Sequence, residues 1–259
     1  MSPDVLIPAS REEAVESFGD GRGITVVAGG TIVMPALKAG LLRPERTLLL
    51  TRAGLEGIRK DGATTTIGAT TPVLALVGEA PEPLSTFASY VGDYEVRAQA
   101  TVGGNLCAAP GPETPRGDLQ AALLALGARV RSVGPGGERS EPIDDFLADG
   151  EGRLVLEVEV DEAKRASSAG LGRPHAHAYT IMAVAAAEGA EGIRVAVSGA
   201  GPRGQRLPSV EQAFADGADP TAAAARASDD VSPADDALAS AWYRAEMLPV
   251  VVGRALSAL

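Results

Sequence analysis

The spacing of apolar and polar residues predicts a small αβαβ unit at the start of the chain. Ser10-Arg11-Glu12-Glu13 has the form of a capping box, and Gly19 marks the end of the short helix that follows. Apolar and β-branched runs then predict buried strands at 23–28 and 47–51, with a helix over 33–39 between them. Residues 1 to about 52 are therefore expected to form one subdomain.

The middle of the chain has a less regular pattern, which favours a hairpin and short helices. It predicts a hairpin over 55–69, helices over 72–77 and 84–90, a loop over 108–117, a helix from about Asp118, and strands at 129–133 and 154–160. A polar, glycine-rich stretch follows at 161–175, and a domain boundary is expected near 150–170.

The last part of the chain predicts one strand among several helices. Its pattern indicates a helix over 179–188, a strand at 193–198, a helix after the capping box at 209–212, and helices that begin at Asp219 and at Ser232. Pro249 is expected to kink or interrupt the final helix. The whole pattern is typical of an α+β fold with α/β elements, with domains at 1–155 (subdomains 1–52 and 53–155) and 165–259.

The composition argues against several classes of protein. The 259 residues carry 23 basic and 34 acidic side chains, a formal net charge of −11, so a nucleic-acid partner is not expected. The single cysteine, Cys107, cannot by itself hold an iron–sulfur cluster, which usually needs four cysteines, and it is expected to be a small packed side chain. His175 and His177 leave little for a metal site. With no long apolar run and no signal-peptide pattern, a cytoplasmic protein without a membrane span is expected.

With one exception, common catalytic and nucleotide-binding motifs are absent from the sequence, and neither a catalytic residue nor a metal ligand is predicted. There is no P-loop, no HExxH, no CxxC and no GxSxG. One GxGxxG occurs at 199–204, but Pro202 and Pro208 flank a loop there and no helix begins within the motif. We interpret it as a strand-to-helix connection rather than a dinucleotide site.

Two glycine pairs carry the main candidate chemistry. They lie in Ala28-Gly29-Gly30-Thr31, after a predicted strand, and in Thr101-Val102-Gly103-Gly104-Asn105. Adjacent glycines can expose several backbone N–H groups to one oxyanion, and the threonine and asparagine side chains add donors. Two such clusters could bind both phosphates of a pyrophosphate without lysine or arginine. For each cluster alone, an ordinary tight turn is the alternative.

With their flanking sequences, these clusters resemble a known family. AGGT at 28–31, TIGATT at 66–71, VRAQATVGGNLC at 96–107 and DLQAALLALGA at 118–128 occur in one order. They resemble the FAD-binding medium subunit of the molybdenum hydroxylases, the xanthine dehydrogenase and carbon monoxide dehydrogenase family. Shorter stretches at 171–173, 195–199 and 240–244 are similar to that family's C-terminal domain. The resemblance implies a two-part FAD-binding domain of the PCMH type and a small α+β C-terminal domain.

The resemblance also implies which residues bind FAD. Two loops would hold the pyrophosphate through Ala28, Gly29, Gly30, Thr31, Ile32, Thr101, Gly103, Gly104 and Asn105. Asp118 would help to position the flavin or its ribityl chain, Tyr179 would lie beside the isoalloxazine, and Arg173 would stabilise the reduced flavin. A solvated loop arginine and ordinary core packing are the alternatives for Arg173 and Tyr179.

The implied function is that of an oxidoreductase subunit that transfers electrons. The chain would carry FAD and pass electrons from the 2Fe–2S clusters of a small subunit to NAD, a quinone, a ferredoxin or oxygen. A large subunit would hold molybdopterin, in a heterotrimer, and an exposed apolar or mixed patch would face the iron–sulfur partner. Two alternatives stay open, a non-catalytic scaffold without FAD and a stand-alone flavin oxidase.

Overall fold

The computed structural model describes residues 4–108, 117–172 and 180–259, which form three β-sheets with helices packed against them. The first sheet is parallel, with strands β1 (Asp4–Leu6), β2 (Ile24–Val27) and β3 (Arg46–Leu49) in the order β1-β3-β2. Helices α1 (Arg11–Phe18) and α2 (Val33–Lys38) connect them. Ser10 caps α1 by accepting a hydrogen bond from the Glu13 N–H, as the capping box predicts. The αβαβ prediction is confirmed, with β1 as an additional strand.

The second sheet is antiparallel and follows the order β4-β5-β8-β6-β7. Its strands are β4 (Ile58–Asp61), β5 (Thr64–Gly68), β6 (Arg129–Gly134), β7 (Gly137–Pro142) and β8 (Leu154–Asp161). The helices of this part are α3 (Leu84–Tyr90), α4 (Tyr94–Gln99), α5 (Val102–Leu106), α6 (Gln120–Ala125) and α7 (Ile143–Asp149). The predicted hairpin and strands are confirmed. A 3₁₀ turn at Val73–Leu76 replaces the helix predicted over 72–77, and the pattern does not predict β7, α4, α5 or α7.

The first two sheets share an apolar core. Phe18 of α1 and Leu48 of β3 are buried in one cluster with Leu154 and Leu156 of β8. At the rim of this cluster, Arg11 at the start of α1 forms an ion pair with Glu138 of β7 at 3.0 Å. Burial of apolar surface supplies most of the stabilisation, because an exposed ion pair contributes about 1 kcal/mol or less. The two sheets are thereby packed together, and the loop after β2 lies against Gln99 at the end of α4.

The third sheet is antiparallel. The sequence-based prediction is least accurate in this part of the chain. Its strands are β9 (Arg165–Leu171), β10 (Met182–Gly189), β11 (Gly192–Ser198) and β12 (Gln205–Arg206), in the order β12-β11-β10-β9. The helix predicted over 179–188 is wrong, because most of this range lies in the inner strand β10. Strand β9 occupies part of the polar, glycine-rich stretch at 161–175. Met182, Val184 and Ala186 face one core and Ala183, Ala185 and Ala187 face the other. Burial on both faces outweighs the helix propensity of alanine here.

The helices after this sheet are α8 (Pro208–Ala215), α9 (Pro220–Ala224) and α10 (Ala241–Ser257). Asp219 caps α9 as predicted. The predicted cap at Ser209 is wrong, because α8 begins at Pro208 and the Ser209 hydroxyl donates to Asp230. The predicted helix start at Ser232 is also wrong, because α10 begins after its cap Ser240. Pro249 lies inside α10 without interrupting it, where the buried Leu248, Val251 and Val252 anchor the helix.

The division into domains at 1–155 and 165–259 stays a prediction. The chain leaves the second sheet after Asp161 and enters the third at Arg165, yet α6 packs on β10 and β11 and one core cluster includes residues from both parts. Over the described ranges, no helix combines the length and apolar character that crossing a membrane requires.

Candidate functional site

A cavity of about 330 Å³ lies where the first and second sheets meet. The loop after β2, helix α5, the segment before α6 and the start of β8 line it. Ten of the twelve predicted site residues are on its wall: Ala28, Gly29, Gly30, Thr31, Ile32, Thr101, Gly103, Gly104, Asn105 and Asp118. The other two, Arg173 and Tyr179, lie outside the described residues, as do His175 and His177.

The two glycines after β2 serve different geometric needs. A Cβ on Gly29 would lie 1.8 Å from the carbonyl oxygen of Gln99, so the loop can approach the end of α4 only with glycine at this position. Gly30 has a φ of 74°, in the left-handed region that side chains disfavour. The pair therefore brings the loop against residues 99–100 and turns the chain into α2.

The loop at 29–32 lines the cavity and has backbone N–H groups without an acceptor in the described protein. Among the residues that the structure describes, no acceptor is hydrogen-bonded to the N–H groups of Gly29, Gly30, Thr31 or Ile32. Half-buried donors without an acceptor favour an anionic ligand, because an unsatisfied polar group in such a place is costly. This donor set fits the phosphate groups of a dinucleotide.

Helix α5 does not present the free glycine N–H groups that its sequence predicts. The Gly103 N–H donates to the Ala69 carbonyl at 2.8 Å, and the Gly104 N–H donates to the Thr101 hydroxyl oxygen at 3.2 Å. The expectation of two bare glycine amides is therefore wrong. Gly103 is instead favoured by close packing, since its Cβ would lie 3.0 Å from the Ala69 carbonyl oxygen. The Thr101 hydroxyl accepts in the cap and keeps its proton for donation toward the cavity.

Asn105 and Asp118 are placed together by one hydrogen bond. The Leu119 N–H donates to Asn105 Oδ1 at 2.9 Å, which joins α5 to the segment that carries Asp118. Both side chains are buried and line the cavity. With its oxygen engaged, the Asn105 carboxamide has its Nδ2 group left to donate, while Asp118 supplies an acceptor and a negative charge.

Arg153 is a lining residue that the sequence does not single out. Asp118 and Arg153 are the charged side chains on the described wall of the cavity. The Arg153 guanidinium donates to the Ser132 hydroxyl at 2.8 Å and to the Gly137 carbonyl at 2.8 Å, which fixes it to the β6–β7 turn. Burial lowers its pKa, with a further contribution from the charge of Arg139. Its hydrogen-bond partners are distant in sequence, so only the fold could reveal this residue.

Cys107 differs from the buried filler that the sequence predicts. It is exposed and lines both this cavity and a smaller one of about 210 Å³ beside it. Desolvation by the surrounding protein nevertheless raises the pKa of the thiol to about 12, against a weak opposing effect of Arg203. The thiol stays protonated at neutral pH, so it is not a reactive thiolate.

Comparison with known proteins identifies the family. Residues 1–160 match the family described as the FAD binding domain in molybdopterin dehydrogenase. The chain belongs to this family. This match confirms the resemblance inferred from the glycine motifs. It also confirms FAD as the cofactor. In the part of this family member that the structure describes, no three histidine, cysteine, aspartate or glutamate side chains are grouped as ligands of a metal ion would be.

Relatives of this FAD-domain protein are subunits of dehydrogenases. The 6-hydroxypseudooxynicotine dehydrogenase complex subunit alpha of Paenarthrobacter nicotinovorans is 28% identical over 279 residues, covering 98% of this chain and 93% of that protein. The carbon monoxide dehydrogenase medium chain of Hydrogenophaga pseudoflava is 32% identical over 160 residues, covering 59% of this chain and 54% of that protein. The prediction of an oxidoreductase subunit is confirmed.

A solved structure confirms the fold of the FAD-domain protein. The structure is a carbon monoxide dehydrogenase from Hydrogenophaga pseudoflava that lacks the Mo-pyranopterin moiety of its molybdenum cofactor. The superposition has a TM-score of 0.84 at 28% identity and covers 99% of this chain and 96% of that one. The match therefore includes the third sheet and α8–α10, and the predicted α+β fold class is confirmed.

Proposed function

We propose that this FAD-binding medium subunit passes electrons from the 2Fe–2S clusters of a small partner subunit to an external acceptor. A large partner subunit would hold molybdopterin and oxidise the substrate. The observation that carries this proposal is the cavity itself, whose wall combines the donor loop at 29–32 with α5 and Asp118. The relatives named as subunits of dehydrogenase complexes support the same role.

Different residues of the cavity would bind different parts of FAD. The N–H groups of 29–32 and the hydroxyl of Thr101 would hold the pyrophosphate, while Asn105 and Asp118 would orient the ribityl chain or the ring. When bound, FAD supplies the redox chemistry, and the protein contributes position and electrostatics. Because the donors are mostly neutral backbone groups, the phosphates would be bound by hydrogen bonds in a protein whose net charge is −11.

Exposed apolar side chains on α2 and just after it support a partner surface. Met34 lies close to Gly30, with 3.0 Å between its Cγ and a Cβ built on the glycine, and it is 56% exposed. Leu41, just after α2, is 84% exposed. Large exposed apolar groups close together in the chain suit docking of an electron-transfer partner. The acceptor would be NAD, a quinone, a ferredoxin or oxygen.

The first test is a visible absorption spectrum of the purified chain after incubation with FAD and desalting. We expect the flavin bands at about one flavin per chain, because one cavity carries the donor set. A folded but colourless chain would contradict FAD binding by the isolated subunit and favour the scaffold alternative. Turnover of an organic substrate by the flavin-loaded chain alone would instead favour a stand-alone oxidase.

A change at Thr101 tests the role of α5. Thr101→Val keeps the shape of the side chain but removes the cap of α5 and the hydroxyl donor, and loss of such a cap costs about 1 kcal/mol. We expect FAD to bind roughly tenfold more weakly, which corresponds to about 1.4 kcal/mol. Thr101→Ser, which retains the hydroxyl, is the control. Equal dissociation constants for the two variants, measured by flavin fluorescence titration, would show that the hydroxyl does not contact the cofactor.

A further inference from the structure

The GxGxxG loop at 199–204 packs against the beginning of α6. The Gly204 N–H donates to Gln120 Oε1 at 2.7 Å. A Cβ on Gly204 would lie 2.6 Å from Gln120 Cβ and 3.2 Å from the Ala121 backbone nitrogen. The last glycine of the motif is thus required by close contact with α6, which explains it without a dinucleotide at this loop.

Gln120 connects this loop to the cofactor cavity. Its side chain is 1% exposed, and its Nε2 donates to the carbonyl of Leu106, the last residue of α5, at 2.8 Å. One buried side chain therefore joins the loop after β11 to the helix that carries Asn105. The carboxamide donates at one end and accepts at the other, so no apolar residue of the same shape can replace both bonds.

Ser198, at the end of β11, forms a second connection. Its hydroxyl accepts from the Ala121 N–H at 3.1 Å and donates to the Gly117 carbonyl at 3.2 Å. These bonds lie on either side of Asp118, and the Leu119 N–H is bonded to Asn105. The segment 117–121 is therefore held from the third sheet on one side and from α5 on the other.

We propose that Gln120 and Ser198 are positioning residues that fix Asp118 and Asn105 in the FAD cavity, so that the third sheet sets the geometry of the cofactor site. This inference rests on the proposed function. Apolar packing of α6 is not directional, whereas buried and satisfied hydrogen bonds specify one arrangement. The third sheet contributes no described residue to the cavity wall, and within the described ranges these two side chains link it by hydrogen bonds to the segment that carries Asp118 and to α5.

The test uses Gln120→Met and Ser198→Ala in the full chain. Gln212→Met is the matched control, because Gln212 is a glutamine on α8 whose Nε2 donates to Asp216 at 2.9 Å in an exposed hydrogen bond. Three quantities are measured for each protein: the dissociation constant of FAD, the midpoint potential of the bound flavin, and amide hydrogen exchange of the flavin-free chain. We expect both variants to bind FAD about tenfold or more weakly and to show a shifted potential. We also expect them to exchange faster at 102–106 and 117–121, with no such change in Gln212→Met.

A lowered melting temperature alone does not support the inference. Unchanged FAD affinity, potential and exchange at 102–106 in both variants would overturn it, because the two side chains would then be merely structural. Ser198→Ala removes only one hydroxyl and is expected to fold even if Gln120→Met does not. If the wild-type chain binds no FAD, the proposed function fails, and exchange in the flavin-free chain still decides whether the third sheet orders the cavity wall.

Discussion

Replacing Gly29 with alanine is expected to weaken FAD binding by about 100-fold or more, which corresponds to about 2.7 kcal/mol. The added Cβ would overlap the Gln99 carbonyl oxygen at 1.8 Å, and both contacting groups are backbone, so neither can move aside cheaply. Separating the loop from residues 99–100 would displace the N–H groups of 29–32. Overpacking of this kind also costs about 1–3 kcal/mol of folding stability. Flavin titration and thermal unfolding measure the two effects.

Gly189→Ala is the matched control for this change. No heavy atom lies within 4 Å of a Cβ built on Gly189, and its φ is not in the left-handed region, so alanine fits there. We expect wild-type FAD affinity and stability for this variant. Wild-type FAD affinity in Gly29→Ala would mean that the loop at 29–32 does not contact the cofactor.

Replacing Arg244 with methionine is expected to lower the free energy of unfolding by about 3 kcal/mol, at the low end of the range for breaking a buried ion pair. The Arg244 side chain is 2% exposed, and its Nη2 lies 2.6 Å from Asp236 Oδ1. Its Nη1 donates to the Ala234 carbonyl at 2.6 Å, so the same side chain fastens the segment before α10. Methionine fills the space but removes the Arg244 cation from a half-buried carboxylate. Denaturant unfolding measures the loss.

Arg226→Met provides a control that differs mainly in burial. The Arg226–Asp229 pair has the same N···O distance of 2.6 Å, but its side chains are 59% and 49% exposed. An exposed pair contributes about 1 kcal/mol or less. A similar loss of stability in Arg226→Met and Arg244→Met would contradict the importance of burial.

The Arg244 prediction has a defined pH dependence. Desolvation raises the pKa of Asp236, but hydrogen bonds from Arg244 and from the Leu238 and Ala239 N–H groups outweigh it, and the pKa is lowered. A lowered folded-state pKa stabilises the protein above the unfolded pKa of about 3.9, and this stabilisation is lost as the pH falls through the folded value. The stability difference between wild type and Arg244→Met is therefore expected to be largest at neutral pH and to shrink in acid.

The wall of the cavity could be predicted from the sequence because its residues lie in short, local motifs. Ala28–Thr31 and Thr101–Asn105 contain glycine pairs, and the conformational freedom of glycine can be read from the local sequence. The structure places both segments on one cavity. The prediction of free amides at Gly103 and Gly104 failed for a non-local reason. The acceptor of the Gly103 N–H is the carbonyl of Ala69, a residue far earlier in the chain.

The elements of the third sheet were harder to predict, because burial on both faces removes the usual signals. β10 shows no alternation of polar and apolar residues, and its alanines favour a helix in isolation. β9 contains serines and glycine and resembles a linker in composition, yet pairing with β10 keeps it as a strand. Arg153 and Gln120 could not be predicted from local patterns either, because their hydrogen-bond partners are distant in sequence.

The burial of β10 on both faces restricts how this region can change in evolution. Inserting or deleting one residue in a strand turns every following side chain to the opposite face. In β10 that shift would exchange the set Met182, Val184 and Ala186 with the set Ala183, Ala185 and Ala187, so one core would be overfilled and the other underfilled. A strand with one solvent-exposed face could tolerate part of such a change in register. Changes in chain length are therefore expected to accumulate in loops outside β10, and the strand itself to tolerate only substitutions that preserve side-chain size.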